Sequence, residues 1–82
     1  MGQKLPRDLS ADDLIKVLRK HFHYEIARRK SSHIRIRTLL KGEHSITVPD
    51  HNPIKVKTLK GILREIAVHL GISEKEIVDE LR

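Results

Sequence analysis

The apolar residues of this chain change rhythm twice, and that double change constrains the fold more than any single motif. Leu14, Val17 and Leu18 recur at helical spacing, with Ile15 beside them and Phe22 closing the stripe. From Tyr24 the period falls to two, the repeat of a half-buried strand. It returns to helical at Leu59, Ile62, Leu63, Ile66, Ala67 and Leu70. A helix, a run of strands and a second helix must therefore share one core.

Local signals set the boundaries. Ser10 precedes Ala11-Asp12-Asp13 as a helix N-cap followed by acidic residues that complement the helix dipole, so the first helix is expected over residues 11–20. Strands are expected over residues 24–29, 33–39 and 44–48, with hairpin turns near residues 30–32 and at Lys41-Gly42. Such short links permit only an antiparallel meander, with the strand that begins at His33 in the middle. Pro49 ends the third strand because it has no N–H for the ladder, and Asp50-His51-Asn52-Pro53 is turn chemistry leading into a loop that runs to about Val56. Thr58 lies near the start of the strongest helix and Gly71 is its stop. Ser73-Glu74-Lys75-Glu76 reads as a capping box opening a short final helix that docks through Ile77, Val78 and Leu81. The predicted fold class is α+β. It is an α-β-β-β-α order like that of double-stranded-RNA-binding domains, with a three-stranded antiparallel sheet, both main helices on one face and a short C-terminal helix. With 82 residues the chain is expected to form one domain, residues 1–7 being a flexible N-terminus.

Composition narrows the function. Ten Leu, ten Ile and five Val supply a small aliphatic core, whereas Phe22 and Tyr24 are the only two aromatic rings of the Phe/Tyr/Trp kind, too few for a base-stacking platform. The 17 Lys and Arg exceed the 11 Asp and Glu by six, which favours a phosphate backbone or an acidic protein as partner. Most cations fall between Arg28 and Arg64, while Asp8, Asp12, Asp13, Glu74, Glu76, Asp79 and Glu80 gather near the ends. The absence of cysteine excludes disulfides, thiolate metal sites and cysteine nucleophiles. No apolar run approaches the roughly 20 residues of a membrane span, and Met1-Gly2-Gln3-Lys4-Leu5-Pro6 lacks the apolar core of a signal peptide. The expectation is a cytoplasmic protein without a membrane partner.

The middle strand is the chemical centre of the sequence. In His33-Ile34-Arg35-Ile36-Arg37, alternation turns Ile34 and Ile36 to one face and His33, Arg35 and Arg37 to the other. One imidazole among cations on a solvent-facing sheet suits RNA, since a histidine can take the proton of a 2′-hydroxyl. The cations would stabilise the added negative charge of the phosphorane transition state. Arg35 and Arg37 are expected to contact phosphates because a middle strand needs no charged protection of its edge. Arg28, Arg29 and Lys30 at the first hairpin turn, and Lys55, Lys57 and Lys60 around the start of the second helix, would extend that footprint; ordinary solvated turns and helix ends are the competing reading. A general acid is less evident, with Tyr24 or a lysine as candidates. His21 and His23 stand two apart with no acidic ligand partner, and His44, His51 and His69 read as loop or helix-surface residues, so no metal and no small-molecule cofactor are expected.

Leu5-Pro6-Arg7-Asp8-Leu9-Ser10, Arg29-Lys30-Ser31-Ser32-His33, Ile46-Thr47-Val48-Pro49-Asp50-His51 and Thr58-Leu59-Lys60-Gly61-Ile62-Leu63-Arg64 follow one another in an order and spacing that resembles the HicA (YcfA-like) family of mRNA interferase toxins, from Leu5 to Leu81. The second segment is similar to the family's Gly-Ser-His signature, and the resemblance places the catalytic histidine at His33. It also implies a HicB-type antitoxin as protein partner and mRNA as substrate. Three positions where the family usually has glycine hold Ser31, His21 and Lys57 here, so those turns are expected to adapt or to carry strain of ~1 kcal/mol each. Where a second histidine often follows the signature, this chain has Ile34.

Two hypotheses of different class follow. In the first, the chain is the toxin of a type II toxin–antitoxin pair, a metal-independent endoribonuclease with His33 as base. In the second it is a non-catalytic double-stranded-RNA-binding module that keeps the basic sheet but does not depend on His33. A DNA-binding regulator is weaker, since no helix combines exposed Arg, Asn and Gln as a recognition surface.

Overall fold

A computed structural model describes residues 5–81. The expected order is present as α1 (Ala11–Phe22), β1 (Glu25–Lys30), β2 (His33–Thr38), β3 (His44–Pro49), α2 (Val56–Leu70) and α3 (Glu74–Glu80). The strands form one antiparallel sheet in the order β1-β2-β3, and the helices pack on a single face of it. Of the N-terminal stretch expected to be flexible, residues 1–4 lie outside the described residues, and Leu5 packs half-buried against the core.

Side-chain chemistry explains the helix ends. The Ser10 hydroxyl accepts from the Asp13 N–H at 3.0 Å, and the Asn52 carboxamide oxygen accepts from the Ala11 N–H at 3.2 Å, so the loop after β3 also caps α1. α1 runs two residues past the expected end, to Phe22, and closes on His23 in the left-handed region at φ 63°. Ser73 and Glu76 form the reciprocal capping box of α3. α2 stops at Gly71, φ 69°, and the Ile72 N–H donates to the Ala67 carbonyl at 3.1 Å.

The strain expected at the substituted glycines does not arise. The non-glycine residues with positive φ among the described residues are His23 and Lys41, so His21, Ser31 and Lys57 carry no left-handed backbone. His21 lies inside α1, Ser31 opens a two-residue hairpin turn and Lys57 lies in the first turn of α2, where side chains are accommodated. Pro49 is the last residue of β3, opposite His33, where its missing N–H interrupts no further ladder.

Ile34 and Ile36 from the middle strand, Ile46 and Val48 from β3, Leu14 and Leu18 from α1, and Leu59, Leu63 and Ile66 from α2 meet in one core, closed by Ile77 and Val78 of α3. Truncating a fully buried member such as Ile36 to alanine would remove about 2–5 kcal/mol, a large part of the stability of so small a domain. The core therefore fixes which face of β2 is buried, and by exclusion which face remains open.

Candidate functional site

β2 alternates strictly: Ile34, Ile36 and Thr38 are buried, while His33, Arg35 and Arg37 are exposed on the helix-free face. Cross-strand register brings the neighbours to them. Lys30 lies opposite His33, and Arg28 opposite Arg35, on one side; Thr47 lies opposite Arg35 on the other. These five side chains (Arg28, Lys30, His33, Arg35 and Thr47) line a shallow hollow of about 250 Å³. Arg35 donates to the Thr47 hydroxyl at 3.4 Å, which aims the guanidinium across the hollow. A larger hollow of about 480 Å³ holds Arg37 with His23, Glu25 and Leu39 at the other end of the strands, with that single arginine in place of the three cations around His33.

A bulge decides which of the three successive cations of β1 join the hollow. Ile26 is opposite Ile36, yet the next pairing is Arg28 with Arg35, so Ala27 is an extra residue. After it, Arg28 and Lys30 share the face of His33, while Arg29 stands opposite the buried Ile34. From there the Arg29 guanidinium reaches Asp12 of α1 at 3.4 Å and Asp50 after β3 at 3.7 Å. Such half-exposed pairs are worth at most about 1 kcal/mol each, but they direct Arg29 away from the hollow.

His33 is held at its own turn. Its Nδ1 is 3.1 Å from the Ser32 hydroxyl, and the Ser32 carbonyl accepts from the Asp50 N–H at 2.9 Å, tying the Ser31-Ser32 turn to the end of β3. Arg37 pairs with Glu43 at 3.7 Å. Lys55, Lys57 and Lys60 are exposed at the start of α2, and none lines the hollow; Lys55 occupies the N-cap without a side-chain cap hydrogen bond.

Tyr24 is not placed to act on the open face. It is fully buried, and its hydroxyl lies 2.9 Å from His44 Nδ1. Burial, with a smaller contribution from Glu65, pushes its hydroxyl up to about 12. Two histidines read as surface residues belong to the same network. His44 stacks on His69 with ring centres 4.5 Å apart, and burial followed by the neighbouring His69 lowers the His44 pKa against the opposing pull of Glu65. His69 Nε2 donates to the carbonyls of Leu40 and Gly42 at 2.9 and 3.0 Å, since carbonyls can only accept. The network latches the β2–β3 hairpin to α2. His21 meets Glu80 at 3.3 Å, and His51 is exposed.

Among the described residues no three His, Asp or Glu side chains converge as a metal-ligand set, and no helix is long and apolar enough to cross a membrane. Thr47 is the site residue that sequence reasoning passed over, and Ser32, quoted only as part of the signature segment, was given no role. Thr47 was available from the alternation Ile46-Thr47-Val48, whereas only geometry shows that the Ser32 hydroxyl meets the imidazole at Nδ1. An imidazole with one ring nitrogen engaged by a hydroxyl, sharing a hollow with three cations, has the chemistry to accept a proton where negative charge is stabilised. A family model described as HicA toxin of bacterial toxin–antitoxin matches residues 11–68, from the first residue of α1 into the last turn of α2. No curated protein and no solved structure matches the chain.

Proposed function

The chain belongs to the HicA toxin family, and from that membership we propose that it is a metal-independent endoribonuclease cleaving mRNA with His33 as general base. The family makes it the toxin of a bacterial toxin–antitoxin pair and implies an antitoxin partner. The observation that carries the nuclease reading is the gathering of His33, Arg28, Lys30, Arg35 and Thr47 around one open hollow.

The chemistry uses the substrate's own nucleophile. His33 takes the proton of a 2′-hydroxyl, the freed electron pair of O2′ forms a bond to the adjacent phosphorus, and the P–O5′ bond breaks with its electrons on O5′. O5′ takes up a proton from water, and the hydroxide so formed takes the proton held by His33, leaving a 2′,3′-cyclic phosphate, a 5′-hydroxyl and a neutral imidazole. Arg28, Lys30 and Arg35 face the charge that grows on the phosphoryl oxygens. Positioned general-base catalysis accounts for about 10²–10⁴-fold, and the cations add to it. Arg37 and the α2 lysines Lys55, Lys57 and Lys60 would meet more distant phosphates. A HicB-type antitoxin lying over the His33 face would exclude RNA by occupying the same hollow.

The test is cleavage of a defined mRNA segment by wild type and by His33→Ala, with EDTA in excess and with a 2′-deoxy nucleotide at the cut site. The reading expects wild type to cut in EDTA, to spare the deoxy substrate, and to lose activity by at least about 10²-fold in His33→Ala with its fold intact. Undiminished cleavage by His33→Ala would refute the base. Cleavage of the deoxy substrate would replace the internal nucleophile by an activated water.

A further inference from the structure

We infer that Ser32 is a positioning residue that selects the proton arrangement of His33, its hydroxyl accepting from Nδ1–H so that Nε2 faces the hollow with a free electron pair. The inference rests on the nuclease reading and adds to it the reason why this imidazole presents one nitrogen rather than the other.

Two observations support it. The Ser32 hydroxyl is 3.1 Å from His33 Nδ1, the ring nitrogen nearer the backbone. The Ser32 main chain is itself fixed, its carbonyl accepting from the Asp50 N–H at 2.9 Å one step beyond the pairing of His33 with Pro49. The serine thus sits in a turn tied by this hydrogen bond to the end of β3. Asp50 is held in turn by the Arg29 guanidinium at 3.7 Å, and that guanidinium also reaches Asp12.

The chemistry then has one consistent assignment. A neutral imidazole has one N–H and one lone pair, and the partner of one nitrogen decides the state of the other. A serine hydroxyl can accept or donate. If it donated to Nδ1, the proton would reside on Nε2, and the nitrogen left for the hollow that His33 lines with Arg28, Lys30, Arg35 and Thr47 could not act as a base. With the hydroxyl as acceptor, Nε2 receives the 2′-hydroxyl proton and the imidazolium keeps its Nδ1–H bond to Ser32 through the reaction. A hydroxyl bonded to a ring that becomes charged contributes more in the transition state than before it, so its loss should fall on kcat.

Long-range proton–nitrogen NMR correlations of the imidazole report which nitrogen bears hydrogen, independently of activity. In wild type at a pH where His33 is neutral, the Nδ1–H form should dominate, and Ser32→Ala should shift the ring towards Nε2–H. In cleavage, Ser32→Ala should lower kcat by about 10-fold, with KM within about two-fold, and Ser32→Thr should restore most of kcat by keeping the hydroxyl. An unchanged tautomer in Ser32→Ala, or an unchanged kcat, would overturn the inference while leaving His33 as base. Full activity in His33→Ala would instead remove His33 as the base, and the NMR comparison in wild type and Ser32→Ala would still report the hydrogen bond.

Discussion

Replacing Arg28, Lys30 and Arg35 together by glutamine tests whether the hollow is where the nucleic acid lies. All three are exposed, so the fold should hold to within about 0.5 kcal/mol per site. On single-stranded RNA each lost phosphate contact lowers the slope of log K against log salt by about 0.7, so the triple variant should lose about 2 units of slope. At about 0.15 M salt, 0.7RT ln(1/0.15) is about 0.8 kcal/mol per contact, and three contacts come to about 2.4 kcal/mol, or roughly 50-fold in affinity. At about 0.5 M salt the same arithmetic leaves only roughly 4-fold. The assay is fluorescence anisotropy of a labelled, non-cleavable RNA across a salt series, run in the His33→Ala background. Arg29→Gln is the control, because its guanidinium is directed to Asp12 and Asp50. An unchanged slope in the triple variant, or an equal loss in Arg29→Gln, would refute the assignment and move the RNA to Lys55, Lys57 and Lys60.

Tyr24 is the only tyrosine, so tyrosinate absorbance follows it alone, and its ionisation in the native state should centre near 12 rather than 10.0. Its raised folded-state value means the stabilisation is complete below pH 10 and lost as pH rises through about 12, up to roughly 2–3 kcal/mol; Tyr24→Phe should lack that component, and an ordinary titration in folded protein would contradict the burial. His23→Gly removes a side chain from a left-handed helix cap and should stabilise the fold by about 0.5–1 kcal/mol, raising Tm by several degrees; a lower Tm would show that the imidazole makes a contact worth more than the strain.

Much of the architecture was legible because periodicity and caps agree. The alternation His33-Ile34-Arg35-Ile36-Arg37 gave both the buried and the open face of β2, and the capping signals at Ser10 and Ser73 located two helix starts. Element ends moved by one or two residues where tertiary contacts prevailed, as at Phe22, which packs on the core and carries α1 with it. What escaped the sequence depends on contacts distant in the chain. Nothing around Tyr24 announces that its hydroxyl will meet His44, or that His69 will reach the hairpin carbonyls. Similarly, Arg28, Arg29 and Lys30 look alike in sequence, and only the bulge and the two aspartates separate them. His33 was legible as the candidate base from its position; the serine that orients it was visible only as a neighbour.

Ala27 has a consequence for how this strand can change over time. Ordinary alternation from Ile26 would send Arg28 and Lys30 inward and Arg29 outward; the extra residue reverses that parity. Deleting Ala27 would straighten the strand yet leave each cation on its present side, because the deletion removes the unpaired residue itself. Inserting a single residue after Arg28 would instead send Lys30 inward and draw Arg29 off its two carboxylates. A deletion at Ala27 is thus silent for the facing of the cations and an insertion after Arg28 disabling, a lineage constraint written in chain length rather than in residue type.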